Sequence, residues 1–338
     1  MILKKTISCI VKVMLSGIIA MIVLTFFCLI YKKGSVHYPD PDGATDHRWE
    51  PNSTYIQATE GFSWGKTNNE GYCNIRNYYP KDEIDILIMG SSQMEASNVM
   101  MEDSTAVLLD EKLTDQVVYN IGVSGHYLLN CACNLENALK KYKPKFFVIM
   151  QTDTLRFSSV ELKKALTGSI AKYTSNNDGI IGFLQKNPFL RLVYHQLQNY
   201  MDEKNQKDDM SKGDSPIIKE NSIQEETELL MQLIKKMNDK VSEYNARLII
   251  LYHPSTSLYE DGSLKPDKNA EISKMIKQMC NDHNILFLDM GRRFEEEYKM
   301  NNVLPYGFAN TSVGSGHLNK IGHAMIAEEL FNLIQEAR

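Results

Sequence analysis

The 338 residues lack any excess of positive charge. Lys and Arg number 37 against 42 Asp and Glu, a net charge of −5. No basic stretch is interleaved with aromatics, so nucleic acid is not an expected partner. Cysteine is sparse, at six, and forms no disulfide framework. Cys9 and Cys28 fall in an apolar N-terminal run, while Cys73, Cys131, Cys133 and Cys280 are scattered. The two-residue step from Cys131 to Cys133 is wrong for a zinc knuckle. No His/Asp cluster has metal-ligand spacing and no internal repeat occurs. No metal or other cofactor is therefore expected.

Charge is also missing from "VMLSGIIAMIVLTFFCLIY", nineteen residues from Val13 to Tyr31, about what a helix needs to cross a bilayer. Lys4, Lys5 and Lys12 precede it and Lys32 and Lys33 follow, which slightly favours a cytoplasmic N-terminus. A cleaved signal peptide would have a shorter apolar core and an A-x-A-like site, and neither is present. The bulky residues before Cys28 fit a lipidation site poorly. The expectation is an uncleaved single-pass anchor over residues 1–33, with the rest of the chain outside the cytoplasm.

Residues 34–81 are rich in Pro, Gly, Asn and Tyr without helical periodicity, and read as an extended lead-in. From residue 82 to 338 the pattern is α/β. Strand-like runs occur at 84–89, 117–121, 146–151, 247–252 and 285–289, with amphipathic helical patterns at 126–142 and 225–244 and a last helix at 320–337. Such alternation predicts a three-layer α/β/α domain around a mostly parallel five-stranded sheet. Residues 157–226 interrupt the rhythm with amphipathic pieces and then a polar excursion, and are expected to form a lid or insertion.

Ligands of open α/β sheets bind beyond the carboxyl ends of the strands, so the strand exits carry the functional information. The first exit offers Ser91 and Ser92, and the second Asn120, Gly122, Ser124 and Gly125. The third offers Gln151, Thr152, Asp153 and Arg156. The fourth offers His253, and Asp289 closes the fifth strand. "FANTSVGSGHLNKIGH" then carries Gly314, His317, Asn319 and His323 into the last helix. A serine attacks an acyl carbon only when a base takes its proton and donors receive the oxyanion. Ser91 or Ser92 with its own N–H, Gly125 or less favourably Gly122 as second donor, and Gln151 or Thr152 as third could supply the donors, with His317 as base. Taken singly, each is equally an ordinary turn, cap or loop residue: two serines after a strand commonly cap a helix.

In that order and spacing, "MGSS", "NIGVSG", "IMQTDT" and "GSGHLNKIGH" resemble the four blocks of the SGNH (GDSL-like) hydrolase superfamily, over about residues 84 to 335. "KTNNEGYCN", residues 66–74, also resembles the lead-in of membrane-linked members. The resemblance puts the nucleophile on Ser92, with Ser91 in place of the usual Asp, the oxyanion glycine on Gly125 and the base on His317. It departs at two places. The usual Asn of the third block is Gln151 or Thr152, and the usual acid three residues before the histidine is Gly314. A carboxylate from elsewhere, such as Asp289 or Asp153, or a backbone carbonyl would have to orient His317. His253, Arg156 and Asn319 could line the pocket.

What the resemblance implies is a serine-dependent O-acyltransferase or esterase, acting outside the cytoplasm on a cell-envelope glycan or teichoic acid. A polytopic membrane O-acyltransferase would be a partner. The alternative is a catalytically silent carbohydrate-binding or assembly subunit of a polysaccharide modification or export complex, which the missing acid at Gly314 favours.

Overall fold

The structure is a computed structural model that describes residues 2–31, 37–151, 157–168, 187, 189–190, 193–194, 197, 220–311 and 314–338. The chain divides into two compact units, one of residues 1–36 with 175–217 and one of 37–174 with 218–338. In the first, helix α1 (Ile2–Tyr31) contains a 23-residue segment, Thr6–Cys28, of mean hydropathy 2.5. It is long and apolar enough to span a membrane.

The second unit opens with two small antiparallel hairpins, β1 (His37–Pro39) with β2 (His47–Trp49) and β3 (Thr54–Gln57) with β4 (Ser63–Lys66). The sequence reads this stretch as an extended lead-in, and the structure differs. Trp49, Tyr55 and Cys73 form a small buried cluster against Met101, so burial of these apolar side chains holds the segment onto the domain.

The main sheet contains β5 (Ile86–Gly90), β6 (Val118–Asn120), β7 (Phe146–Gln151), β8 (Arg247–Tyr252) and β9 (Leu286–Asp289). The order is β6-β5-β7-β8-β9 and every pairing is parallel. All five expected strands are present, with ends displaced by at most two residues. The strands are apolar throughout because helices cover both faces. Leu87 and Met89 face one core, made with α4 (Leu128–Tyr142), α5 (Ser159–Leu166), α6 (Glu220–Glu243) and α7 (Ala270–Asp282). Ile86 and Ile88 face the other, made with α3 (Thr105–Lys112), α8 (Gly291–Asn301) and α9 (Lys320–Glu336). A four-residue helix, α2 (Ser92–Glu95), follows β5 directly.

Part of the expected insertion belongs to this frame. Residues 157–168 lead into and form α5, whose Leu162 and Ala165 are buried in the first core. The remaining span to about 219 lies largely outside the described residues. The chain leaves β5 for β6 on one side and later reaches β7 on the other. The carboxyl end of β5 is therefore the topological switch point, where such sheets open a crevice. Ser92 is two residues past that end.

Candidate active site

β5 ends in Gly90, and Ser91 then caps α2 in extended conformation, φ −81° and ψ −160°. Met94 and Glu95 return their N–H groups to the Ser91 carbonyl, closing one tight turn. That turn separates the two serines. Ser91 is 1% exposed, with its hydroxyl buried and without a partner among the described residues. Ser92 is half-buried, and its Oγ lies 2.9 Å from His317 Nε2.

His317 reaches Ser92 across 225 residues on a loop that precedes α9. Its other ring nitrogen, Nδ1, lies 2.6 Å from Glu60 Oε2, and its backbone N–H donates to Glu60 Oε1 at 2.5 Å. Ser92, His317 and Glu60 thus form a continuous hydroxyl–imidazole–carboxylate chain. Glu60 does not belong to any of the strand exits. It comes from the loop between β3 and β4, in the segment the sequence reads as a tether.

Asparagines fix that loop. Asn98 Nδ2 donates to the Glu60 carbonyl at 3.0 Å, and Asn310 accepts from the Gly61 N–H at 2.9 Å. Asn310 also donates to the carbonyls of Ala58 and Gly61. Gly316 makes the approach of the carboxylate possible. A Cβ there would lie 2.0 Å from Glu60 Oε1, and the residue has φ +84°, a conformation in which only glycine is unstrained. Gln93, next to the serine, spans the histidine from the other side. Its Oε1 accepts from the Leu318 N–H at 2.7 Å and its Nε2 donates to the Gly316 carbonyl at 3.2 Å.

The loop after β6 supplies the neighbouring wall. Asn120 Oδ1 takes the Gly122 N–H, and a Cβ on Gly122 would meet the backbone of Met94 and Glu95 at 2.8 Å. Gly122 is therefore a packing contact with α2. Gly125, by contrast, has φ +81° with open space where a Cβ would stand. Its N–H donates to none of the described groups, and neither does that of Ser92. Glu95 Oε2 accepts the Ser124 N–H at 2.6 Å.

Several residues expected at the site are structural instead. Gln151 is fully buried, and its Oε1 caps α4 by accepting the Leu128 N–H at 3.0 Å. Asp289 does not reach His317: its carboxylate takes the Ser273 hydroxyl and the Gly291 N–H. His253 is buried with Nδ1 on the Tyr306 hydroxyl at 2.5 Å, and burial followed by the nearby His323 lowers its pKa to about 3. Asn319 is the N-cap of α9, accepting from the Ile321 and Gly322 N–H groups. His323, in the first turn of α9, is buried against the Thr105 hydroxyl at 2.9 Å. Thr152, Asp153 and Arg156 lie outside the described residues. Gly314 has φ +79°, and a Cβ there would crowd Leu304 at 2.9 Å. Among the described residues, no group of three or more His, Cys, Asp or Glu could hold a metal ion.

No family model matches the chain, and no curated protein matches it. Among solved structures it is similar to the acetyl xylan esterase AlAXEase, at 15% identity and TM-score 0.44 over 74% of this chain and 100% of that one. It is similar to the psychrotrophic esterase EstA from Pseudoalteromonas sp., at 15% identity and TM-score 0.41 over 75% and 98%. It is likewise similar to a putative lipolytic protein of the G-D-S-L family from Desulfitobacterium hafniense, at 14% identity and TM-score 0.41 over 74% and 99%.

Proposed function

We propose that the protein is a serine-dependent acyl-handling enzyme, an O-acyltransferase or esterase, that works outside the cytoplasm on a cell-envelope glycan. The observation that carries the reading is the Ser92–His317–Glu60 chain, with links of 2.9 and 2.6 Å. Each link is within the reach that proton transfer requires.

His317 Nε2 takes the Ser92 proton as Oγ bonds to the acyl carbon. Glu60 accepts the Nδ1–H, holds the ring in the tautomer with a free Nε2, and balances the imidazolium that forms. The carbonyl oxygen becomes an oxyanion, and the N–H groups of Ser92 and Gly125 are its donors. Collapse breaks the bond to the leaving alcohol, which takes the proton from His317, and leaves an ester on Ser92. In the second half-reaction His317 deprotonates water, for hydrolysis, or a sugar hydroxyl, for transfer.

The glycan acceptor, the extracytoplasmic side and an association with a polytopic acyltransferase rest on two supports. One is the resemblance of the four sequence blocks, and the other is the Thr6–Cys28 segment.

The full chain in detergent micelles tests the chemistry with p-nitrophenyl acetate and a fluorophosphonate label. Wild type is expected to turn over and to label. S92A and H317A should each lose on the order of 10³-fold or more in kcat/KM, while S91A still labels. Labelling that survives S92A and vanishes in S91A would move the nucleophile. Glycan binding without turnover or labelling would support the silent subunit.

A further inference from the structure

Two large aromatic side chains of the lead-in are left in solvent. Phe62 is 65% exposed and Trp64 58%, although Trp49 and Tyr55 of the same segment are buried. Alternation along β4 sets the direction of each. Ser63 is buried with its hydroxyl on the Ser97 carbonyl, so Phe62, Trp64 and Lys66 fall on the opposite, outer face. Gly65 lets Tyr55 support the strand from within, since a Cβ there would lie 2.5 Å from the Tyr55 hydroxyl. The outer rings therefore stand on the small packed cluster of Trp49, Tyr55 and Cys73.

Trp64 also lines a cavity of about 500 Å³, a size typical of small-molecule sites. Asn52, Lys66, Asn77 and Glu102 share that lining, and all four are exposed. The side chains of Asn52, Lys66 and Glu102 make no hydrogen bond or ion pair among the described residues. Asn77 Oδ1 accepts the Asn69 N–H at 3.0 Å, which leaves its amide hydrogens available. Lys66 and Glu102 are the charged groups of the lining and offset each other.

An aromatic face rimmed by unpartnered amides and one charge of each sign suits a ligand that is apolar on its face and hydroxylated at its edge. A sugar ring has that form. The electron-rich face of the indole attracts its C–H bonds, and the amides both donate to and accept from its hydroxyls. A polyanion would find no net positive charge here. A bilayer would have to strip water from Glu102 and the amides without replacing their hydrogen bonds. Trp64 follows Glu60, the residue that holds His317, by four positions. Four extended residues span at most about 14 Å, a distance that a short oligosaccharide covers.

We infer that Trp64, with Phe62 beside it, is the stacking platform of a carbohydrate subsite that takes an uncharged pyranose glycan and leads it toward Ser92. The glycan's part in the reaction rests on the acyl-enzyme reading above, whereas its binding does not.

The full-length protein in micelles is titrated by calorimetry with cellotetraose, xylotetraose and chitotetraose, as wild type, W64A, W64F and F62A. At least one tetrasaccharide is expected to bind wild type, with Kd unchanged when sodium chloride is raised about tenfold. W64A should weaken that binding about tenfold and F62A about threefold. Both should keep the wild-type melting temperature, because both rings are exposed. W64F retains a ring and should stay within about threefold of wild type. With the O-acetylated form of the same tetrasaccharide as substrate, the loss in W64A should appear in KM.

Binding of none of the tetrasaccharides, or binding that W64A leaves intact, would overturn the subsite. Salt-sensitive binding of poly(glycerol phosphate) in their place would do the same. Reconstitution into phosphatidylcholine vesicles with brominated acyl chains tests the bilayer: fluorescence quenching present in wild type and absent in W64A would make this face a membrane contact and overturn the subsite. Glycan binding by an inert wild type removes the acyl-enzyme reading and leaves the subsite standing. Turnover without glycan binding removes the subsite alone.

Discussion

Ser92 and Glu60 hold the same imidazole from opposite sides, yet they are carried by regions of very different construction. Ser92 follows β5, an inner strand of a five-stranded parallel sheet whose core residues are buried on both faces. Glu60 sits between two four-residue strands and is held there by side-chain bonds from Asn98 and Asn310. The sheet fixes its exits through ladders and packing, at a depth where displacement costs the whole fold. The hairpin loop is held by a few hydrogen bonds, each worth about 1 kcal/mol. Catalytic contribution and contribution to stability should therefore separate at Glu60 as they cannot at the sheet.

The strongest way to break that contrast is E60A. Removing the carboxylate frees the His317 tautomer and leaves the imidazolium without a counter-charge. A loss in kcat/KM on the order of 10³-fold is expected, with a stability change of only about 1 kcal/mol in denaturant melts. E60Q should remain far below wild type, because an amide does not balance the imidazolium. Activity within tenfold of wild type in E60A would mean that the 2.6 Å contact of His317 Nδ1 with Glu60 is incidental to the chemistry.

A sharper version asks whether the sheet-side loop could have supplied the acid. The double variant E60A/G314D puts a carboxylate three residues before the histidine. Gly314 has φ +79°, and a new Cβ meets Leu304 at 2.9 Å, so the substituted loop is strained by about 1–2 kcal/mol. Activity should stay within about threefold of E60A, with lower stability. A tenfold rescue would show that the lead-in is replaceable.

The regions also differ in how far the sequence revealed them. The five strands were legible because a fully buried parallel strand must be a continuous apolar run. The switch point then told which exit to watch. The serine pair and Gly125 follow strands of recognisable period and His317 precedes the last helix, while the choice of Ser92 over Ser91 comes from the order of the four sequence blocks. Asp289, Gln151 and His253 resemble site residues in sequence because they too stand at strand exits, and Asn319 because it opens the last helix. Hydrogen-bond partners that no pattern encodes, such as Ser273 for Asp289 and Leu128 for Gln151, draw them into the frame.

Glu60 was invisible because it belongs to no periodic element. The signal it did leave is compositional. Trp49, Tyr55, Phe62 and Trp64 give the lead-in too much aromatic surface for a solvated tether. The glycine at 316 was a second signal, since a "GSGH" loop keeps one side of the histidine clear for a partner.

A smaller effect tests whether lead-in and sheet unfold together. Buried histidines occur in both: His47 in the lead-in and His126, His253 and His323 in the sheet unit. Burial, the leading cause in each case, lowers the pKa to about 4 for His47 and His126 and to about 3 for His253 and His323. In the unfolded chain these groups titrate near the ordinary histidine value of 6.5. Above about pH 7 both states carry them neutral and stability is unaffected. Between 6.5 and about 4 the unfolded chain binds protons that the folded one refuses, so stability falls as pH drops. The folding constant should lose up to about tenfold per pH unit for each histidine.

Both tryptophans, Trp49 and Trp64, lie in the lead-in, whereas most helices lie in the sheet unit. Urea melts followed by fluorescence and by circular dichroism therefore watch the two regions separately. Coincident midpoints that shift together from pH 7 to pH 5 are expected, with a smaller shift in H323Q. A fluorescence midpoint that precedes the dichroism midpoint would make the lead-in a separable strap, and with it the acid at Glu60.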